Sequence, residues 1–139
     1  MKPTLLLWPL AAQILLTLLL LIPLASRKKA AVRAGEVDLE RSAIDNSAWP
    51  ESVLRVSNNF QNQFQIPVLF YAIILALVVL QQVSVAAVVL AWVFVASRIA
   101  HSLVHIRTNY VPHRMRIFIV GFLTLLGLCG VLIWELVQA

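Results

Sequence analysis

Charge is what this chain has least of. Only 12% of its residues are charged and 61% are apolar, whereas soluble domains run at about 25% charged. So few charges could not cover a soluble surface, so the composition excludes an ordinary soluble domain and implies a membrane protein. Cysteine is nearly absent. The single Cys129 lies inside an apolar run, which excludes an internal disulfide and a cysteine-based metal site; it reads as a small buried apolar residue. The net charge of +5 does not point to nucleic acid. The basic residues are confined to segments between apolar runs, with no basic face repeating along a soluble helix, and they fit orientation in a membrane better. The leucine-rich first run is the one low-complexity stretch, no internal repeat is visible, and the length suits a single membrane domain, 1–139.

What the chain does have is four apolar runs. The first, at 5–24, is long enough to cross one hydrocarbon core, roughly 30 Å at 1.5 Å per residue. Its basic cluster (Arg27, Lys28, Lys29) follows the run rather than preceding it, which favours a retained span over a signal peptide. Pro9 and Pro23 stand near its ends, where proline costs least. Residues 26–57 carry six basic and five acidic side chains, so the sequence predicts a solvated loop with short helical pieces. In it Ser47 is expected to cap a helix with Pro50 in its first turn, and Trp49 to act as an interfacial anchor. The second span, about 60–80, begins with amides and turns apolar. Pro67 is expected to kink it there. A tight turn at 81–84 leads to the third span, 85–106. A short loop, 107–116, leads to the fourth, 117–137, whose glycines allow close helix contact. The fold class expected is all-α, a four-helix transmembrane bundle. The loops 26–57 and 107–116 hold nearly all the positive charge, so both are assigned to the cytoplasm and both termini to the other side.

The stretch from Arg98 to Arg116 holds all three histidines and four of the eleven basic residues. Arg98, His101 and His105 are spaced i, i+3, i+7, which puts them on one helical face. Polar groups at the end of a membrane helix are costly unless they serve a site. On the second helix the amides Asn58, Asn62 and Gln65 share a face, and the charge distribution brings both faces to the same end of the bundle. No acid belongs to this set. Arg98 and Arg114 therefore favour an anion, and the amides suit a peptide-like group. The histidine pair could hold a metal, but no carboxylate or thiol completes a ligand set, so no metal is assigned.

Four spans in this length, together with Arg-x2-His-x3-His-x8-Arg at 98, 101, 105 and 114, resemble the MAPEG family of membrane-associated proteins in eicosanoid and glutathione metabolism. The resemblance covers essentially the whole chain. It implies a homotrimer of four-helix protomers that binds glutathione between subunits near the cytoplasmic end and acts on a lipophilic small molecule. It places Arg98 and His101 at glutathione-binding positions, His105 at a position that is usually tyrosine, and Arg114 at the arginine that activates the thiol. On the second helix, Asn62 matches the family's asparagine, with Gln65 at its glutamate and Asn58 at its arginine. A register three residues back would use Arg55, Asn59 and Asn62 instead; the carboxylate is missing in either. Two functions follow. One is a glutathione-dependent transferase or peroxidase in a bacterial-style inner membrane or equivalent. The other is a non-catalytic binding or scaffold protein that keeps the fold.

Overall fold

A computed structural model describes residues 1–138. Four helical rods account for most of them. The first joins α1 (Thr4–Leu19) and α2 (Leu21–Arg33), the second joins α4 (Glu51–Asn62) and α5 (Ile66–Val79), and the third and fourth are α6 (Val85–Ile106) and α7 (Val111–Gln138). Each is long and apolar enough to cross a membrane. Between α2 and α4 lie the short α3 (Leu39–Ser42) and a 3-10 turn (Asn46–Ala48).

The helices outrun the apolar runs. α2 carries the basic cluster out to Arg33, α4 starts at Glu51 and α7 starts at Val111. The connections at this end of the bundle are therefore 34–50, which holds α3 and the 3-10 turn, and 107–110, shorter than the loops expected from polarity. An apolar run marks what lipid must cover, whereas a helix ends only where its backbone bonds end. Pro9 lies inside α1, not at an end of it, while Pro23 falls in the first turn of α2. Pro50 is itself the cap residue of α4, and Ser47 sits in the 3-10 turn, where Asp45 accepts from its backbone N–H at 2.9 Å and from its hydroxyl at 2.6 Å. Lys28 Nζ stands 4.6 Å from the centre of the Trp49 ring.

Pro67 interrupts the second rod outright. It has no N–H for the carbonyl of Gln63, and its ring crowds that carbonyl. α4 ends at Asn62, the next amides close tighter i to i+3 bonds, and Gln65 leaves helical geometry at φ −103°, ψ −107° before α5 begins.

In a bilayer, apolar side chains gain little by leaving lipid for protein, so close packing must hold the rods together. α6 and α7 form the most extensive pair. A Cβ on Gly121 would stand 2.8 Å from Ser97 Oγ, so any other residue there would push that hydroxyl from its bond to the Phe94 carbonyl. The core, at the end of the bundle away from the basic segments, is built from Leu6, Phe70, Ile74, Leu77, Phe94 and Leu128. Phe70 and Phe94 stack there at 4.5 Å. Large apolar side chains such as Trp8, Leu69, Leu123 and Trp134 face outward on all sides.

Candidate functional site

The broken second rod turns its amides in two directions. Asn59 and Gln63 point into the bundle and are fully buried. Gln63 Oε1 accepts from Gln13 Nε2 at 3.0 Å. Its amide nitrogen is shared among the Asn59 carbonyl at 3.2 Å, Asn59 Oδ1 at 3.4 Å and Ser102 Oγ at 3.3 Å. Ser102 in turn donates to Asn59 Oδ1 at 3.2 Å. This network ties α1, α4 and α6 together just below the break.

Asn62 and Gln65 point the other way. With Arg98 and His101 of α6 and Arg114 of α7 they line a cleft of about 180 Å³, whose remaining wall is apolar and includes Ile66, Met115 and Phe118. Arg98 is 3% exposed, and its Nε and Nη2 have no hydrogen-bond partner. His101 Nδ1 and Arg114 Nε are unpartnered as well. Arg114 is aimed by one bond, Nη1 to Asn109 Oδ1 at 2.5 Å. Asn109 adopts a left-handed φ of 52° just past α6, a conformation that asparagine tolerates at a helix end. Among the described residues, no carboxylate lines this cleft.

A second, more open hollow of about 460 Å³ adjoins the cleft and shares Asn62 and Arg114 with it. His105, Asn58, Arg55 and Glu51 are among its other walls. His105 is held through Nδ1, 3.0 Å from the Arg55 carbonyl. Arg55 spans the end of the bundle: its Nε reaches Glu51 at 3.0 Å, and its Nη1 reaches the Arg107 carbonyl at 2.8 Å.

The structure thus gathers Asn62, Gln65, Arg98, His101 and Arg114 at one cleft and sets Asn58 and His105 in the adjoining hollow. Within the one chain described, residues of α4, α6 and α7 already line the cleft together. Of the two registers, the later one puts Asn62 and Gln65 on the cleft; Asn59 of the earlier one is buried against Gln63 and Ser102. Glu51 is a carboxylate on the outer hollow that sequence reasoning left out of the site. Asn109 and the Gln13–Gln63 pair were also missed. Asn109 could have been found, as an asparagine just past a helix end and five residues before Arg114.

A scan against known protein families matches the MAPEG family over residues 5–134. The chain belongs to the MAPEG family. No curated protein and no solved structure matches it significantly. As a MAPEG protein, with four apolar rods that need a lipid environment, it is an integral membrane protein of a family known for glutathione use. In this MAPEG chain the cleft joins two guanidiniums and an imidazole to an apolar wall. Such a surface suits an anionic, peptide-like group beside an apolar one.

Proposed function

We propose that this MAPEG protein binds glutathione across the cleft and the outer hollow and transfers its sulfur to a lipophilic electrophile drawn from the bilayer. The observation that carries this reading is the set of unpartnered N–H groups on buried Arg98 and on Arg114, facing a cleft without an acid. A buried guanidinium without a partner is costly, and an anionic ligand supplies that partner.

Glutathione is an elongated tripeptide with two carboxylates, and two adjoining hollows that share Asn62 and Arg114 suit its shape. Arg98, His101, Asn62 and Gln65 would hold the peptide in the cleft, and Asn58 and His105 would border it in the outer hollow. Arg114 would stand by the thiol. A free thiol titrates near 8.5, and a neighbouring guanidinium lowers that value. Each unit is worth about 1.4 kcal/mol of preference for the thiolate. The thiolate sulfur then attacks an electrophilic carbon, forming an S–C bond while the electron pair of the broken bond leaves with the departing group; attack on a peroxide oxygen breaks the O–O bond in the same way. Ile66, Met115 and Phe118 form the apolar wall of the cleft, against which a lipophilic electrophile would lie. We further propose a homotrimer, seated in a bacterial-style inner membrane with both termini away from the cytoplasm.

The test is thiolate absorbance on adding millimolar glutathione to protein in detergent. A signal in the wild type that disappears in Arg114→Ala supports the transferase. No glutathione binding by the wild type would overturn it. One feature favours a second reading, a non-catalytic binding protein on the same fold: Gln65 stands where the family's glutamate would grip the ligand's amine. Glutathione binding with no thiolate signal in either protein is its expected outcome.

A further inference from the structure

The Glu51–Arg55 pair has a second side. Beyond it lies another hollow of about 580 Å³, lined by Arg27 of α2, Glu51, Ser52 and Arg55 of α4, and Ile106 and Arg107 at the end of α6. Three arginines, one from α2, one from α4 and one just past α6, line it with one carboxylate. That carboxylate is already engaged, since Arg55 holds Glu51 in an ion pair. Arg27 and Arg107 have no ion-pair partner among the described residues.

These arginines are not merely long side chains reaching for water. Arg27 Nη1 donates to the Ser52 carbonyl at 2.8 Å, which fixes its guanidinium against α4. Arg55 Nη1 donates to the Arg107 carbonyl at 2.8 Å, which fixes the backbone that carries the third. The Arg27 tether uses one N–H and leaves the rest of that fork free, whereas the remaining Arg55 N–H groups are engaged by Glu51. A chain with so few charges has thus organised two uncompensated cations around one space.

Depth says what could fill it. The hollow opens where the apolar part of the first rod has ended and where α6 gives its last residue, Ile106. Lys28 over Trp49 marks the same level, an aromatic and a cation of the kind found at a bilayer surface. Phosphates are the anions concentrated at that level, and a guanidinium fork matches phosphate oxygens.

We propose that this hollow binds the phosphate of an anionic phospholipid headgroup. Arg27 and Arg107 contact the phosphate oxygens, and Ile106 lies against the start of the lipid's apolar part. The site shares Glu51 and Arg55 with the outer hollow, but binding of a phosphate there does not depend on glutathione chemistry.

The experiment measures binding of phosphatidylglycerol and phosphatidylcholine to the full chain by native mass spectrometry and thermal shift in detergent. The wild type should hold phosphatidylglycerol at least tenfold more tightly than phosphatidylcholine. The double variant R27Q/R107Q should lose that preference. R107Q alone, which breaks no tether, should weaken it by about fivefold, so the test stands even if the double variant folds poorly. K29Q/R116Q removes the same formal charge outside the hollow and should keep the preference within twofold. Equal loss in both double variants, or no preference in the wild type, overturns the site. Glycerol 3-phosphate serves as the soluble phosphate; stabilisation by it at the affinity of the lipid would overturn the headgroup in favour of a soluble phosphate ligand.

Discussion

The Gln63 side chain joins Gln13 on α1 to Asn59 on α4 and Ser102 on α6, and all four side chains are buried. Gln63→Leu leaves the Gln13 amide without a partner. Stranding a buried donor costs about 1–3 kcal/mol in water-soluble proteins, whereas polar pairs within membrane bundles average about 0.6 kcal/mol. This network lies inside protein, so the expected loss is about 1–2 kcal/mol, read as a lower midpoint of thermal unfolding in detergent. Adding Gln13→Leu should restore part of it, because an apolar pair strands nothing. Fully additive losses would show that the amides do not interact. Arg98 and His101 were legible as neighbours because helical spacing alone puts them on one face, and both line the cleft. Gln63 was not, since its partner lies 50 positions away and spacing along one helix says nothing about what faces it.

Helices were legible from the apolar runs, and their ends were not. α6 begins with its apolar run because Ser84 caps it there, accepting from Ala87 N–H at 3.1 Å. α4 has no such signal: its first residues are polar, and only Pro50 and the preceding turn fix its start. That turn depends on Asp45, whose carboxyl is held below the ordinary carboxylate value, chiefly by the Ser47 hydroxyl and then by the Ser47 N–H. A depressed carboxyl stabilises the turn above its unfolded value, near 3.9, and that contribution is lost as pH falls through the lower folded value. Amide exchange at residues 46–49 should therefore be unchanged from pH 7 to 5, after correction for intrinsic rates, and should lose protection below about pH 4. Asp45→Asn should remove the pH step. A step that survives in Asp45→Asn would place its origin elsewhere. The break at 63–65 was foreseen as a kink at Pro67. The sequence could not show that it would point Gln63 inward and Gln65 outward, because that depends on how far the backbone departs from helix.

At the scale of the whole molecule, the ends of α2 and α6 and the starts of α4 and α7 meet, gathering most of the positive charge at one end. If this end faces the cytoplasm, Ile44→Cys in a Cys129→Ser background should label with an impermeant maleimide only from that side. Ile44 is 93% exposed, so access is not the obstacle. Gln82→Cys, in the turn at the opposite end, should label only from the other side. The reverse pattern would invert the orientation. Charge and hydropathy gave the number of rods and which ends gather the basic residues. Which loops would touch was left open, because a tether such as Arg55 to the Arg107 carbonyl leaves no trace in the residues of either segment. Glu51 and Arg55 line both the outer hollow of the cleft and the headgroup hollow. Were a phosphate in that hollow to draw Arg55 from Glu51, the charge presented to a peptide on the other side would change. Linkage is reciprocal, so if a lipid alters peptide affinity by some factor, the peptide must alter lipid affinity by the same factor. With both proposed ligands bound, the leaflet's anionic content would act as an effector concentration for the ligand equilibrium, and an affinity measured in neutral detergent would describe only one limit of it.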